Sequence, residues 1–353
     1  MEFTVTESEN LKAKPEGALG FGKYYTDYMF TADYDPEQGW HNAGLVPFGP
    51  LEINPATMVL HYAQETFEGM KAYRTKDGRV LLFRPEMNAK RMANSNKRLS
   101  MPVFPEEDFV KAVEMLVAKD QEWIPTGEGE SLYIRPFMFA TEASLGAHAS
   151  GKYKFVIIAS PSGNYYPEGT APVKIWVEDE FVRATPGGTG FTKCGGNYAG
   201  ALAAQEKADA NGYDQVLWLD GVNRKYVEEV GSMNAMFVID GEVWTAPLEG
   251  TVLPGVTRDS IIRLLKEWGY TVREEHLAVD DLMEAAKDGR LQEAFGCGTA
   301  AVVSPIGQLC YKDEPVLVNN FETGPLTQRI YDTLTGIQWG ELEDPFGWTR
   351  PVE

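Results

Sequence analysis

Lys193 lies in the run Arg183-Ala184-Thr185-Pro186-Gly187-Gly188-Thr189-Gly190-Phe191-Thr192-Lys193-Cys194-Gly195-Gly196-Asn197-Tyr198, with three glycines before it and two after. Glycine permits positive φ and close approach of the backbone to a ligand. A lysine in such surroundings can lose part of its hydration, which lowers its pKa and makes the neutral, nucleophilic amine accessible. The same run also fits an exposed loop lysine between flexible turns, and taken alone it does not decide. Its glycines do not follow the G-x-G-x-x-G spacing, so a dinucleotide fingerprint is not supported.

Other segments offer partners for an anion. Phe83-Arg84-Pro85 puts an arginine at the end of a strand and just before a helix. A guanidinium beside helix-start amides makes a phosphate seat. Gly250 to Thr257 leads into another helix and presents the amides of Thr251 and Val252, while Gly298-Thr299-Ala300 follows a strand with a hydroxyl and two amides. Each is also compatible with a plain loop turn or surface salt bridge. Several of them accompanying one glycine-framed lysine favour an anionic ligand.

Two further elements bear on substrate. In Ser131-Leu132-Tyr133-Ile134-Arg135 the strand period of two puts Tyr133 and Arg135 on one face, where they can hold a carboxylate or form an ordinary polar sheet surface. In Glu228-Glu229-Val230-Gly231-Ser232-Met233-Asn234 a glutamate precedes a glycine turn. It is either solvated or partly buried against a cationic ring nitrogen.

The elements that must position these groups are legible from periodicity. Val80 to Phe83 reads as a short buried strand, and Pro85 opens a helix through Leu99. Phe109, Val113, Leu116 and Val117 mark an amphipathic helix. Ser131 to Ala140 and Tyr153 to Ser160 read as strands, as does Val173 to Val177. Residues 164–172, dense in turn formers, are the expected linker between a smaller domain (1–163) and a larger one (173–353) that carries the lysine. In the second half a helix is expected from Tyr198 to Asn211, with Asn197 as N-cap. A strand follows at Gln215 to Leu219, then a hairpin about Asp240-Gly241, a helix from Thr257 to Trp268 and a strand at Leu291 to Phe295. The fold class is mixed α+β and α/β.

Bulk properties narrow the function classes. The 353 residues are long for one core. A net charge of −20 argues against a general nucleic-acid binder. No run is long and apolar enough to span a membrane, and Met1-Glu2-Phe3-Thr4 does not open a signal peptide. Three cysteines (Cys194, Cys297, Cys310) without a C-x-x-C pair fit a reducing cytoplasm. The four histidines, His41, His61, His148 and His276, show no metal-ligand spacing, so no metal is expected.

The segments KCGGNYAGALAAQEKA, GYDQVLWLDG, EEVGSMN, LPGVTR and FGCGTAAVVSP, with HYAQETFEGMKAYR, LFRPEMNAKRM and SLYIRP before them, resemble the branched-chain amino-acid aminotransferases. These are pyridoxal-phosphate enzymes of fold-type IV, related in fold to D-amino-acid aminotransferases. The resemblance runs from about Phe21 to Gly340. It implies pyridoxal 5'-phosphate (PLP) as cofactor, with Lys193 as the Schiff-base lysine and the base at the substrate's Cα. It implies Glu229 at the pyridine nitrogen, Tyr198 at the ring's phenolic oxygen, and Arg84, Thr251, Val252 and Thr299 at the phosphate, with Arg183 close by. Substrate contacts implied are Phe21, Tyr62, Phe67 and Tyr165 for the aliphatic side chain. Tyr133, Arg135, Thr299 and Ala300 are implied for carboxylates, with Arg135 and Tyr62 the candidates for the γ-carboxylate of glutamate. Leucine, isoleucine and valine would exchange amino groups with 2-oxoglutarate, giving branched 2-oxo acids and glutamate, in a homodimer whose contacts include the His148 loop.

The departures are few. Ala301 and Ser304 stand where some members carry a redox-sensitive C-x-x-C, and Ser232 where threonine is frequent. Rival readings are another fold-type IV enzyme, a D-amino-acid aminotransferase or aminodeoxychorismate lyase, and a non-catalytic phosphate-binding or scaffold protein.

Overall fold

The computed structural model describes residues 1–163 and 171–353, which divide into two compact units. The first comprises Met1–Tyr165, Thr192–Gly195 and Gly336–Glu353; the second comprises Tyr166–Phe191 and Gly196–Thr335. Most of the expected linker, and Tyr165, lie outside the described residues.

The first unit is built on a nine-stranded sheet. Its order is Thr4–Val5, Gly39–Pro47, Tyr28–Asp35, Tyr153–Ser162, Ser131–Ala140, Met70–Arg74, Val80–Phe83 and Thr349–Val352, with Glu65–Phe67 also paired to Ser131–Ala140. Helices Pro85–Arg98 and Glu106–Lys119 accompany it. In the second helix Phe109, Val113, Leu116 and Val117 are fully buried, so the apolar stripe read from the sequence faces the core. Removing each such side chain from water stabilises the fold by roughly 1.5–3 kcal/mol. Glu106, Glu107 and Asp108 in its first turn and Lys119 in its last complement the helix dipole. Tyr133 and Arg135 fall on the same side of Ser131–Ala140, as a period of two requires.

The second unit also has nine strands. The path Val227–Val230, Gln215–Leu219, Val173–Glu178, Val302–Tyr311, Leu291–Gly298, Met233–Ile239 closes on itself, because Glu229 pairs with Asn234 and Val230 with Met233. Closure removes the open edges of those strands. Strand termini at Val230, Gly298 and Val302 bring turns to Gly231 and to Thr299–Ala301.

The helix expected from Tyr198 to Asn211 is instead two, Gly195–Ala199 and Leu202–Ala210. The Ala201 N–H donates to Tyr198, three residues back, which breaks the i to i−4 ladder beside Gly200. Asn197, expected to cap, is engaged elsewhere: its amide donates to the Thr189 carbonyl at 2.8 Å and its oxygen accepts from the Thr189 hydroxyl at 2.7 Å.

Candidate functional site

In the first unit, Lys193 is held through its backbone. Its N–H donates to Ser95 Oγ at 3.0 Å, and its carbonyl accepts from the Phe67 N–H at 3.0 Å. The Gly195 N–H donates to the Glu65 carboxylate, and a Cβ at Gly195 would collide with that same oxygen. Glycine is therefore needed there for close packing onto Glu65. With both sides of its peptide fixed, the lysine points its amine to 4.9 Å from the Phe67 ring centre. Burial lowers the amine's pKa to about 8; the Arg91 cation pushes the same way, against Glu68 and Tyr133. Arg91 itself is paired in a two-pronged contact with buried Glu68, at 2.8 and 2.7 Å.

Around this lysine stand several expected substrate contacts. Arg135 donates to the Tyr133 hydroxyl at 3.1 Å, and its guanidinium lies 4.9 Å from the Phe67 ring centre. The Phe21 ring meets Tyr133 edge-on at 4.8 Å. Arg135 Nε is buried without a hydrogen-bond partner among the described residues. An unsatisfied guanidinium N–H costs free energy unless a ligand takes it, and a carboxylate is its natural acceptor. Tyr62 differs, since its hydroxyl donates to the Leu145 carbonyl. Arg84 is buried at the start of helix Pro85–Arg98, with φ of 48°. That left-handed conformation is strained for arginine. It is kept by a bond from the Arg84 N–H to the Trp348 carbonyl at 2.8 Å and by the guanidinium's position 5.2 Å from the Trp348 ring centre.

In the second unit, Glu229 is buried, and its carboxylate is held from three sides. Arg183 Nε lies 2.6 Å from Oε2; Asn234 Nδ2 and the Leu253 N–H reach Oε1 at 3.0 and 3.1 Å. Arg183 also donates to the carbonyls of Gly190 and Thr251. Gly190 packs so closely that a Cβ would strike the Thr251 carbonyl. Thr251 and Val252 are buried, and neither N–H donates to a protein acceptor among the described residues. Two consecutive amides left in this way fit a phosphate. Thr299 and Ala300 form the half-buried turn before Val302, whose φ of 61° is an outlier for a β-branched residue. Tyr198 is half-buried on the short helix Gly195–Ala199.

Each unit by itself carries donors that suit PLP: in the first a depressed lysine amine, and in the second a fixed carboxylate for a ring nitrogen and amides without a protein acceptor among the described residues for a phosphate. Sequence reasoning missed the residues that hold these groups. Ser95 and Glu65 are far from Lys193 in the chain and carry no local signal. Asn234 was accessible, because a tight turn at Gly231-Ser232 places it opposite Glu229.

Among the described residues no group of histidines, cysteines and acids is arranged to hold a metal, and no helix is long and apolar enough to cross a membrane. The amino-transferase class IV family model matches residues 65–309. A probable branched-chain-amino-acid aminotransferase of Staphylococcus aureus (strain N315) is 56% identical over 98% of this chain and 96% of its own. The crystal structure of the Escherichia coli branched-chain amino acid aminotransferase superposes with a TM-score of 0.78 at 29% identity, covering 93% of this chain and 99% of that one. The T.th. branched-chain amino acid aminotransferase solved with pyridoxamine 5'-phosphate gives 0.76 at 27% identity, over 91% and 98%.

Proposed function

The chain belongs to the class IV amino-transferases and, within them, to the branched-chain amino-acid aminotransferases, and on that premise we propose what its individual residues do. It catalyses the reversible transamination of leucine, isoleucine and valine with 2-oxoglutarate, using PLP. When bound, PLP supplies an electron sink that stabilises negative charge at the substrate's Cα.

Lys193 is the amine that bonds the cofactor and the base that takes and returns the Cα proton. A depressed pKa suits both tasks, because each needs the neutral amine near physiological pH. Glu229 keeps the ring nitrogen protonated, and its three fixed contacts stop the carboxylate from turning away. Tyr198 donates to the phenolic oxygen. Arg84, the amides of Thr251 and Val252, and Thr299 bind the phosphate, while Arg183 acts through Glu229 and Thr251. Tyr133 and Arg135, with the Thr299–Ala300 turn, take substrate carboxylates. Phe21, Phe67 and Tyr62 line the path of the aliphatic side chain, a path with apolar area and few polar partners.

The observation that carries these roles is the half-buried lysine pinned at both its N–H and its carbonyl. In purified protein, Lys193→Ala should abolish both the borohydride-sensitive visible absorbance and leucine transamination. Retention of both would overturn the assignment. The assembly we infer is a homodimer, supported by the exposed Leu145 and Leu60 beside the His148 loop, and light scattering tests it. Three buried free cysteines support a cytoplasmic setting.

A further inference from the structure

The strand Thr349–Val352 covers the edge of the first unit's sheet by pairing antiparallel with Val80–Phe83, Val352 opposite Val80 and Thr349 opposite Phe83. Continuing that register by one residue brings Trp348 opposite Arg84, where the Arg84 N–H donates to the Trp348 carbonyl at 2.8 Å. A residue before a proline is ordinarily extended, and a left-handed φ is disfavoured for arginine in any setting. With φ of 48° directly before Pro85, Arg84 is held against both preferences. The backbone bond to Trp348 lies at the residue that bears this strain.

Trp348 is itself well fixed. It is buried, Phe346 stacks on it at 4.2 Å and 12°, and Phe83 meets it edge-on at 5.7 Å. The turn that presents it is clasped by Asp344, whose carboxylate accepts from the Thr349 N–H at 2.7 Å, the Thr349 hydroxyl at 2.8 Å and the Phe346 N–H at 3.2 Å. With one face covered by Phe346, the indole offers its other face to the Arg84 guanidinium, 5.2 Å from the ring centre. An arginine free to sample its rotamers loses that freedom when it binds an anion. One already laid on an aromatic face has lost much of it beforehand.

We propose that Trp348 is a positioning residue for the cofactor's phosphate: its carbonyl holds the Arg84 backbone and its indole holds the guanidinium, so the cation is set before the anion arrives. This rests on the phosphate role given to Arg84 above.

Equilibrium binding to cofactor-free protein, read from growth of the visible band, tests this with two probes, PLP and pyridoxal, which lacks the phosphate. Trp348→Leu removes the aromatic face and should raise Kd for PLP about ten-fold, the worth of a buried cation–π contact, while Kd for pyridoxal stays within about two-fold. Trp348→Phe keeps an aromatic face and should hold PLP to within about three-fold of the parent. In an Arg84→Met background the guanidinium is already gone, so Trp348→Leu should add no more than about two-fold. Equal weakening of both probes by Trp348→Leu overturns the proposal, as does an unchanged Kd for PLP or a Trp348→Phe protein as weak as Trp348→Leu. Should Trp348→Leu fail to fold, Asp344→Ala decides: weaker PLP binding at parent affinity for pyridoxal supports the proposal, and equal loss or none overturns it. If Arg84→Met weakens both probes alike, the phosphate role of Arg84 is overturned, and the proposal falls with it.

Discussion

Arg183 Nε and Glu229 Oε2 stand 2.6 Å apart, and both side chains are more than nine-tenths buried. Each charge has lost most of its water and is compensated by the other together with the hydrogen bonds described above. Breaking such a pair from one side costs more than the pair itself contributes, because the remaining charge stays buried. Arg183→Met should therefore destabilise the protein by about 3 kcal/mol and lower its Tm by roughly 6–12 °C. The double variant Arg183→Met with Glu229→Gln should recover part of that loss, since no isolated carboxylate is left. Thermal unfolding of the four proteins checks this, and additive losses would show that the two side chains do not act as a pair.

Burial lowers the Lys193 amine to about 8, so the proton leaves two pH units or more below where an exposed lysine releases it. Below that pH the amine is mostly charged and cannot attack the cofactor's aldehyde. The rate of loading PLP onto cofactor-free enzyme should rise about ten-fold per pH unit below pH 8 and level off above it. Stopped-flow growth of the visible band measures this. A rate still climbing steeply between pH 9 and 10 would mean that the amine is not desolvated. The same shift bears on stability: between the folded and unfolded pKa values the unfolded chain binds more protons, so this group's contribution rises with pH from about 8 to about 10.4.

Local elements are legible in the sequence where one physical signal controls them. Val80–Phe83, Ser131–Ala140 and Gln215–Leu219 have the bounds that their apolar patterns predict. The helix after Lys193 departs from its pattern because its interruption depends on a single shifted hydrogen bond at Ala201, which composition does not reveal. The groups proposed to react are named as a set through their resemblance to a family and their residue types. Their supports are not legible, since Ser95 meets Lys193 across 98 positions of sequence. The glycines of the lysine run serve packing as well as backbone freedom. Gly190 and Gly195 are small so that Thr251 and Glu65 can approach them. Contacts of that kind are set by tertiary packing, and a single sequence contains no periodic trace of them.

The role proposed for Arg135 predicts a distinction between the two substrates. Its Nε is buried and unpartnered among the described residues, while another nitrogen already bonds the Tyr133 hydroxyl. A guanidinium so placed has a donor reserved for an incoming acceptor. 2-Oxoglutarate brings a second carboxylate, whereas the 2-oxo acid of leucine brings a methyl-branched chain at the same distance. Arg135→Met keeps the stem's packing on Phe67 and removes the donor. A charge-assisted hydrogen bond is worth about 1.5–3 kcal/mol, so KM for 2-oxoglutarate should rise roughly 10- to 100-fold. KM for the branched 2-oxo acid should move much less, because an aliphatic side chain has no acceptor to offer the guanidinium. Steady-state kinetics with each acceptor in turn measures the split. An equal rise for both would place Arg135 at the α-carboxylate, which the two substrates have in common.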